Sequence, residues 1–120
     1  MYSYHSMKKF IITTTEIQNG ILHLALRPKK PEYRLRFYAG QYASIGFRLV
    51  DSYRLSAMRS FSIVSSPTDA SKVEFGIKLG GDFTNSLASL PIGSEIFLRG
   101  PFGDFVIDSD YASFGSTYPQ

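Results

Sequence analysis

Cysteine is absent from the 120 residues. That excludes disulfide frameworks, cysteine-ligated zinc, iron–sulfur clusters and cysteine nucleophiles together. Histidine is scarce, and His5 and His23 leave little for a histidine metal site. No run of eighteen apolar residues occurs, so a membrane-spanning helix is not expected. The N-terminal stretch MYSYHSMKK has no long apolar core behind its lysines and does not read as a secretory signal. A cytoplasmic location is the expectation, since a cysteine-free chain suits a reducing compartment. Charge of one sign is also lacking: 13 basic residues against 10 acidic give a net +3, spread along the chain. The densest basic group, Arg27, Lys29, Lys30, Arg34 and Arg36, lies beside Pro28 and Pro31. It reads as a solvated loop; a nucleic-acid surface would need these charges on one face. What remains is 43% hydrophobic and 19% charged, the composition of a globular chain with one core.

The dominant period is two. Over 72–79, Val73, Phe75, Ile77 and Leu79 alternate with Lys72, Glu74, Gly76 and Lys78, which predicts a half-buried strand. A strand is expected over 9–16, followed by Asn19-Gly20, a hairpin signal because both residues tolerate positive φ. The return strand, 21–26, carries Leu22, Leu24 and Leu26 on one face. Further strands are expected over 40–47, 60–65 and 94–99, with Ser66-Pro67 ending the second of these. One segment breaks the pattern: 83–90 carries Leu87 and Leu90 and stops at Pro91, predicting a two-turn helix with Asp82 as N-cap. The fold expected is all-β, a six-stranded antiparallel barrel with one short helix, closed so that its edges are hidden. Residues 1–7 read as a flexible start, 8–107 as the barrel and 108–120 as a tail or truncated linker.

Three segments carry the chemistry: Arg59-Ser60-Phe61-Ser62-Ile63-Val64-Ser65, Gly80-Gly81-Asp82-Phe83-Thr84 and Arg99-Gly100-Pro101-Phe102-Gly103. Gly80-Gly81 lies between a strand and a helix, where glycine allows positive φ or close approach of backbone to a ligand. The N–H groups of Phe83, Thr84 and Asn85 would then face that ligand, a setting that favours an anion such as phosphate. Thr84 adds a hydroxyl donor, and Arg59 a planar fork of donors suited to phosphate oxygens.

Taken jointly, the motifs resemble the flavin-binding domain of the ferredoxin–NADP reductase superfamily. The family's arginine, any residue, aromatic, serine or threonine appears as Arg59, Ser60, Phe61, Ser62. Its later glycine, serine or threonine, and leucine match Gly81, Thr84 and Leu87. Its Gly-Pro-x-Gly-x-Phe matches Gly100, Pro101, Gly103 and Phe105, and its Ala-Gly-Gln-Tyr matches residues Ala39, Gly40, Gln41 and Tyr42. The resemblance implies a six-stranded antiparallel Greek-key barrel holding FAD outside one end, with FAD favoured over FMN, for electron or hydride transfer from NAD(P)H to an acceptor protein. It assigns Arg59 to the pyrophosphate, Phe61 to the ribityl chain and ring, and Ser62 to a hydrogen bond near flavin N5. Ser60 falls inside that motif, Ile63, Val64 and Ser65 would edge the ring, and Ile77, Lys78 and Leu79 would line the cofactor. Gly81, Asp82, Phe83 and Thr84 would close on the pyrophosphate.

Strict alternation sets Arg59 and Phe61 on one face and Ser62 on the other, so the strand must twist or end near Ser62, or Ser62 must use its backbone N–H. Phe61 stands where tyrosine is commoner in the family, which removes one hydroxyl. The 120 residues leave no room for the NAD(P)H-binding domain that follows in the family, so this polypeptide is not expected to be active alone. The tail carries Tyr111, Phe114 and Tyr118, which would either stack on the flavin or pack on the barrel. Two other readings compete: a small basic barrel that binds nucleic acid through exposed aromatics, and a structural or regulatory barrel without cofactor.

Overall fold

The computed structural model describes residues 7–49, 54–69 and 71–103. The expectations for the tail and for Phe105 lie outside these residues, as does nearly all of the expected flexible start.

Alternation dictates the strands. They are β1 (Lys8–Gln18), β2 (Ile21–Pro28), β3 (Tyr42–Gly46), β4 (Arg59–Ser62), β5 (Val73–Lys78) and β6 (Glu95–Phe102), with one helix, α1 (Asp82–Ala88), between β5 and β6. All pairings are antiparallel, and the sheet order is β4-β3-β6-β1-β2-β5. Asn19 and Gly20 turn β1 into β2 with φ of 54° and 76°, and the carbonyl of Gly20 also accepts from the Leu79 N–H at 3.0 Å. Thr13 is the extra residue at a bulge in β1, where its hydroxyl donates to Ala25 O at 3.2 Å.

The inner face holds Phe10, Ile12, Leu22, Leu24, Leu26, Ala43, Ile45, Val73, Phe75 and Ile77, all buried, with Leu87 of α1 and Ile96 and Leu98 of β6. At roughly 1.5–3 kcal/mol for each fully buried large apolar side chain, this face is what holds the sheet rolled. The roll is barrel-like but the ladder is not continuous. Among the described residues its two end strands, β4 and β5, are joined by the Ile63–Phe75 bridge, by the Val64 N–H donating to Glu74 O at 2.8 Å and by the Glu74 N–H donating to the Ser65 hydroxyl at 3.0 Å.

Most element ends differ from expectation by a few residues, β1 reaching Gln18, β2 Pro28 and β6 Phe102, and two of the differences have a clear physical reason. The fourth strand ends at Ser62 rather than 65, because the chain changes partners there. Ser62 still pairs with Tyr42 of β3, and the Ile63 N–H still donates to Gln41 O at 3.0 Å, but Val64 has crossed to β5. The helix N-cap is Gly81, not Asp82, which is the first helical residue. Among the described residues no helix is long and apolar enough to cross a membrane, and no group of histidine and carboxylate side chains could hold a metal ion. Of the basic group, Lys29 donates to Glu95 and holds that carboxyl below its ordinary range.

Candidate functional site

The sheet brings the end of β5 and the start of α1 beside the start of β4. Arg59, Lys78, Leu79, Gly80, Gly81, Asp82, Phe83 and Thr84 line one cleft of about 560 Å³. Segments some twenty residues apart in sequence thus meet because β4 and β5 are the two end strands of a rolled sheet.

Phe83 organises the cleft. The Arg59 guanidinium carbon sits 5.3 Å from its ring centroid, a cation–π distance. The Phe61 ring stacks on it at 6.1 Å with planes 24° apart, and Phe47 meets it tilted at 5.2 Å. Arg59 and Phe61 therefore share a face, as alternation requires, opposite Ile45 and Ala43 of β3. Among the described residues no carboxylate forms an ion pair with Arg59. An exposed guanidinium held against a ring, with no carboxylate partner among the described residues, is suited to meet an anion.

The glycine turn differs from expectation. Neither Gly80 nor Gly81 has positive φ; Gly81 is fully extended at φ −177°, ψ 179°. Glycine matters here for space, since a Cβ at either position would meet nothing within 4 Å and would stand in open cleft. Thr84 is committed locally: its hydroxyl accepts from the Gly80 N–H at 3.0 Å and the Gly81 N–H at 3.2 Å, and donates to Gly81 O at 3.2 Å. The Asn85 N–H, read from the sequence as aimed at a ligand, is spent on Gly81 O at 2.9 Å. The first-turn N–H groups of Asp82, Phe83 and Thr84 are those that helix geometry leaves without an intrahelical acceptor. The groups that could meet an anion in this cleft are thus Arg59, Lys78 and these N–H groups, with Asp82 the opposing charge among the lining residues.

The other sequence-predicted residues are distributed around this cleft. Ser60 and Ser62 are exposed on the opposite face of β4, and the Ser60 hydroxyl lies 3.1 Å from that of buried Ser44. Ile63 and Ile77 are core side chains, leaving only their backbone to meet a ligand. Ser65 is buried and its hydroxyl accepts from the Glu74 N–H at 3.0 Å. Val64 is 62% exposed, in a shallow hollow beside Glu16, His23 and Glu74 rather than in the cleft. Phe47, which sequence reading did not single out, is buried beneath the cleft; only its position just after β3 could have pointed to it. Gln41 ties three segments: its Oε1 accepts from the Tyr38 N–H at 2.9 Å, its Nε2 donates to Gly103 O at 3.1 Å, and its carbonyl takes Ile63.

The chain is 36% identical over 90 residues to the reductase component of propane 2-monooxygenase from Mycolicibacterium goodii, covering 72% of this chain and 24% of that protein. It thus spans about a quarter of that relative's length. Among solved structures it is similar to a Malassezia yamatoensis flavohemoglobin determined with bound FAD and heme, with TM-score 0.73 and 22% identity over 88% of this chain and 28% of that one. It is also similar to the cytochrome b5 reductase domain of Ulva prolifera nitrate reductase, with TM-score 0.71 and 16% identity over 88% of this chain and 45% of that one. These two likenesses show the shared fold, a ferredoxin–NADP reductase-like barrel. Sequence carries the rest: residues 9–107 match the oxidoreductase FAD-binding domain, a span that takes in every described strand but the first residue of β1, and so this cleft is set in a chain that belongs to that family and whose cofactor is FAD.

Proposed function

We propose that this chain binds FAD with its pyrophosphate at Arg59 and the first turn of α1, and its ring system toward the Ser62 end of β4. The observation that supports this most is the Arg59 guanidinium, seated 5.3 Å over Phe83 beside an open glycine turn and with no carboxylate partner among the described residues. Bound FAD supplies acceptance of a hydride from NAD(P)H and onward delivery of electrons to an acceptor protein. The chain's own part is binding and orientation. Arg59 and Lys78 offset phosphate charge. Gly80 and Gly81 let the backbone approach. Phe61, resting on Phe83, offers an apolar face to the ribityl chain and ring. Ser62 is the last residue of β4, and it meets flavin N5 from where the strand ends, by its hydroxyl or its backbone N–H. NAD(P)H is brought by a nucleotide-binding unit outside these 120 residues, and the whole is an oxidoreductase acting inside the cell.

Titration of the apoprotein with FAD tests the assignment. A charge-assisted hydrogen bond of this kind contributes about 1.5–3 kcal/mol, so Arg59→Ala should weaken binding roughly ten- to hundredfold. Arg59→Lys keeps the charge without the planar fork and should fall between. An unchanged dissociation constant in Arg59→Ala would remove Arg59 from the site.

A further inference from the structure

The chain between β3 and β4 is folded back on itself. The Ser56 N–H donates to Phe47 O at 2.7 Å, and the Phe47 N–H donates to the Ser56 hydroxyl at 3.0 Å. Arg48 bridges to Leu55, and the Leu49 N–H donates to Arg54 O at 2.9 Å. The Ser56 hydroxyl in turn donates to Ala57 O at 2.9 Å, which pins the strap just before β4 begins.

Met58 continues this strap and lies across Gly46, the last residue of β3. A Cβ at Gly46 would collide with the Met58 sulfur, and would stand 3.6 Å from its terminal methyl and 3.5 Å from the Ser56 hydroxyl. Gly46 does not have positive φ, so its backbone would accept another residue. A Cβ there would displace the end of the flexible Met58 side chain from its seat. The two ends of the strap reach the cleft by separate routes. Met58 is joined directly to Arg59, and Phe47, clamped by Ser56, places its ring 5.2 Å from Phe83, on which Arg59 rests.

We propose that Gly46, Ser56 and Met58 are positioning residues for FAD binding. The seat of Met58 on Gly46 and the clamp of Ser56 on Phe47 fix the guanidinium of Arg59 and the ring of Phe83 before the ligand arrives. This inference rests on the reading that Arg59 holds the FAD pyrophosphate. The physical cost avoided is the ordering of a long, rotamer-rich arginine at the moment of binding. An alanine at 46 does not break the strand; it displaces the Met58 side chain from its seat beside Arg59.

The test is a set of double-mutant cycles read by FAD dissociation constant on the full chain, with apoprotein melting temperature measured beside it. Gly46→Ala and Ser56→Ala should each weaken FAD binding about fivefold. Adding Met58→Ala to Gly46→Ala removes the collision and should recover part of the loss. In an Arg59→Ala background both single changes should weaken binding by less than about twofold, because there is no guanidinium left to position. A purely structural role would instead give the same loss in both backgrounds, and that result overturns the proposal. If Gly46→Ala does not fold, Ser56→Ala, which only deletes a hydroxyl, carries the same cycle. Should Arg59→Ala alone leave FAD affinity unchanged, the underlying site assignment fails, an outcome distinct from equal losses in the two backgrounds.

Discussion

At the scale of single residues, the cleft depends on a ring that the sequence presents as one more aromatic among 18 tyrosines and phenylalanines. Phe83 touches Phe47, Phe61 and the Arg59 guanidinium. Replacing it with leucine keeps the apolar bulk but removes the π face. A cation–π contact at an exposed site contributes about 0.5–1 kcal/mol, so Phe83→Leu should weaken FAD binding by roughly two- to fivefold. Phe83→Ala, which also removes the support under Phe61, should weaken it further. Calorimetric titration of the two variants checks both, and a wild-type constant for Phe83→Leu would show that the ring supports Arg59 by bulk alone. The pairing of Arg59 with Phe61 on one face could be read from the sequence, because strand alternation is fixed by the backbone. Their meeting with Phe83 was legible only through the family resemblance, which sets Arg59 and residues Gly81 to Thr84 on one pyrophosphate; no local period links positions some twenty residues apart. Met58 on Gly46 escaped for the same reason.

At the scale of elements, the strand between 72 and 79 and the Asn19-Gly20 hairpin were legible because alternation and turn chemistry are local signals. The helix start was misplaced by one residue for an equally local reason. Aspartate is a good N-cap by its side chain, yet the cap position went to extended Gly81 once the Thr84 hydroxyl turned back to take the Gly80 and Gly81 N–H groups. The same turn separates two uses of glycine. Gly20 is required by its conformation, at φ 76°, whereas Gly81 is extended and has open space where a side chain would stand. Gly81→Val should cost the apoprotein about 1 kcal/mol through the poorer N-cap, while a branched side chain fills the cleft and lowers FAD affinity by more than about tenfold. Gly20→Val should cost about 1–2 kcal/mol of folding stability through left-handed strain and leave affinity intact. Thermal melts and FAD titrations on the pair would separate the two roles. A Gly81→Val protein that binds FAD normally would mean that no ligand enters over the glycine turn.

At the scale of the whole molecule, the site lies on a seam. Five strand pairings are multi-residue ladders, two of them with a register shift, whereas β4 and β5 meet, among the described residues, through the Ile63–Phe75 bridge and the hydrogen bonds of the Val64 N–H to Glu74 O and of the Glu74 N–H to the Ser65 hydroxyl. Arg59 belongs to the first of these strands, and Gly80 to Thr84 follow directly on the second. A ligand that takes both sides of the cleft therefore joins the two ends of the sheet, and its binding energy is added where the backbone has least of its own. Because FAD binds the native and not the unfolded chain, free FAD at a hundred times its dissociation constant should stabilise folding by about 2.7 kcal/mol. For a domain of this size that corresponds to a rise in Tm of roughly 10 °C. The gain should be local as well as global. Amide exchange at Val64, a donor across the seam, should slow more on FAD addition than exchange at Leu24 or Phe10 in the multi-residue ladders, because seam opening is the low-energy motion that the ligand suppresses. Arg59→Ala, measured at the same FAD concentration, should lose most of both effects. Equal slowing of exchange at Val64 and in the central strands would mean that FAD acts on global unfolding alone and that the two end strands do not open by themselves.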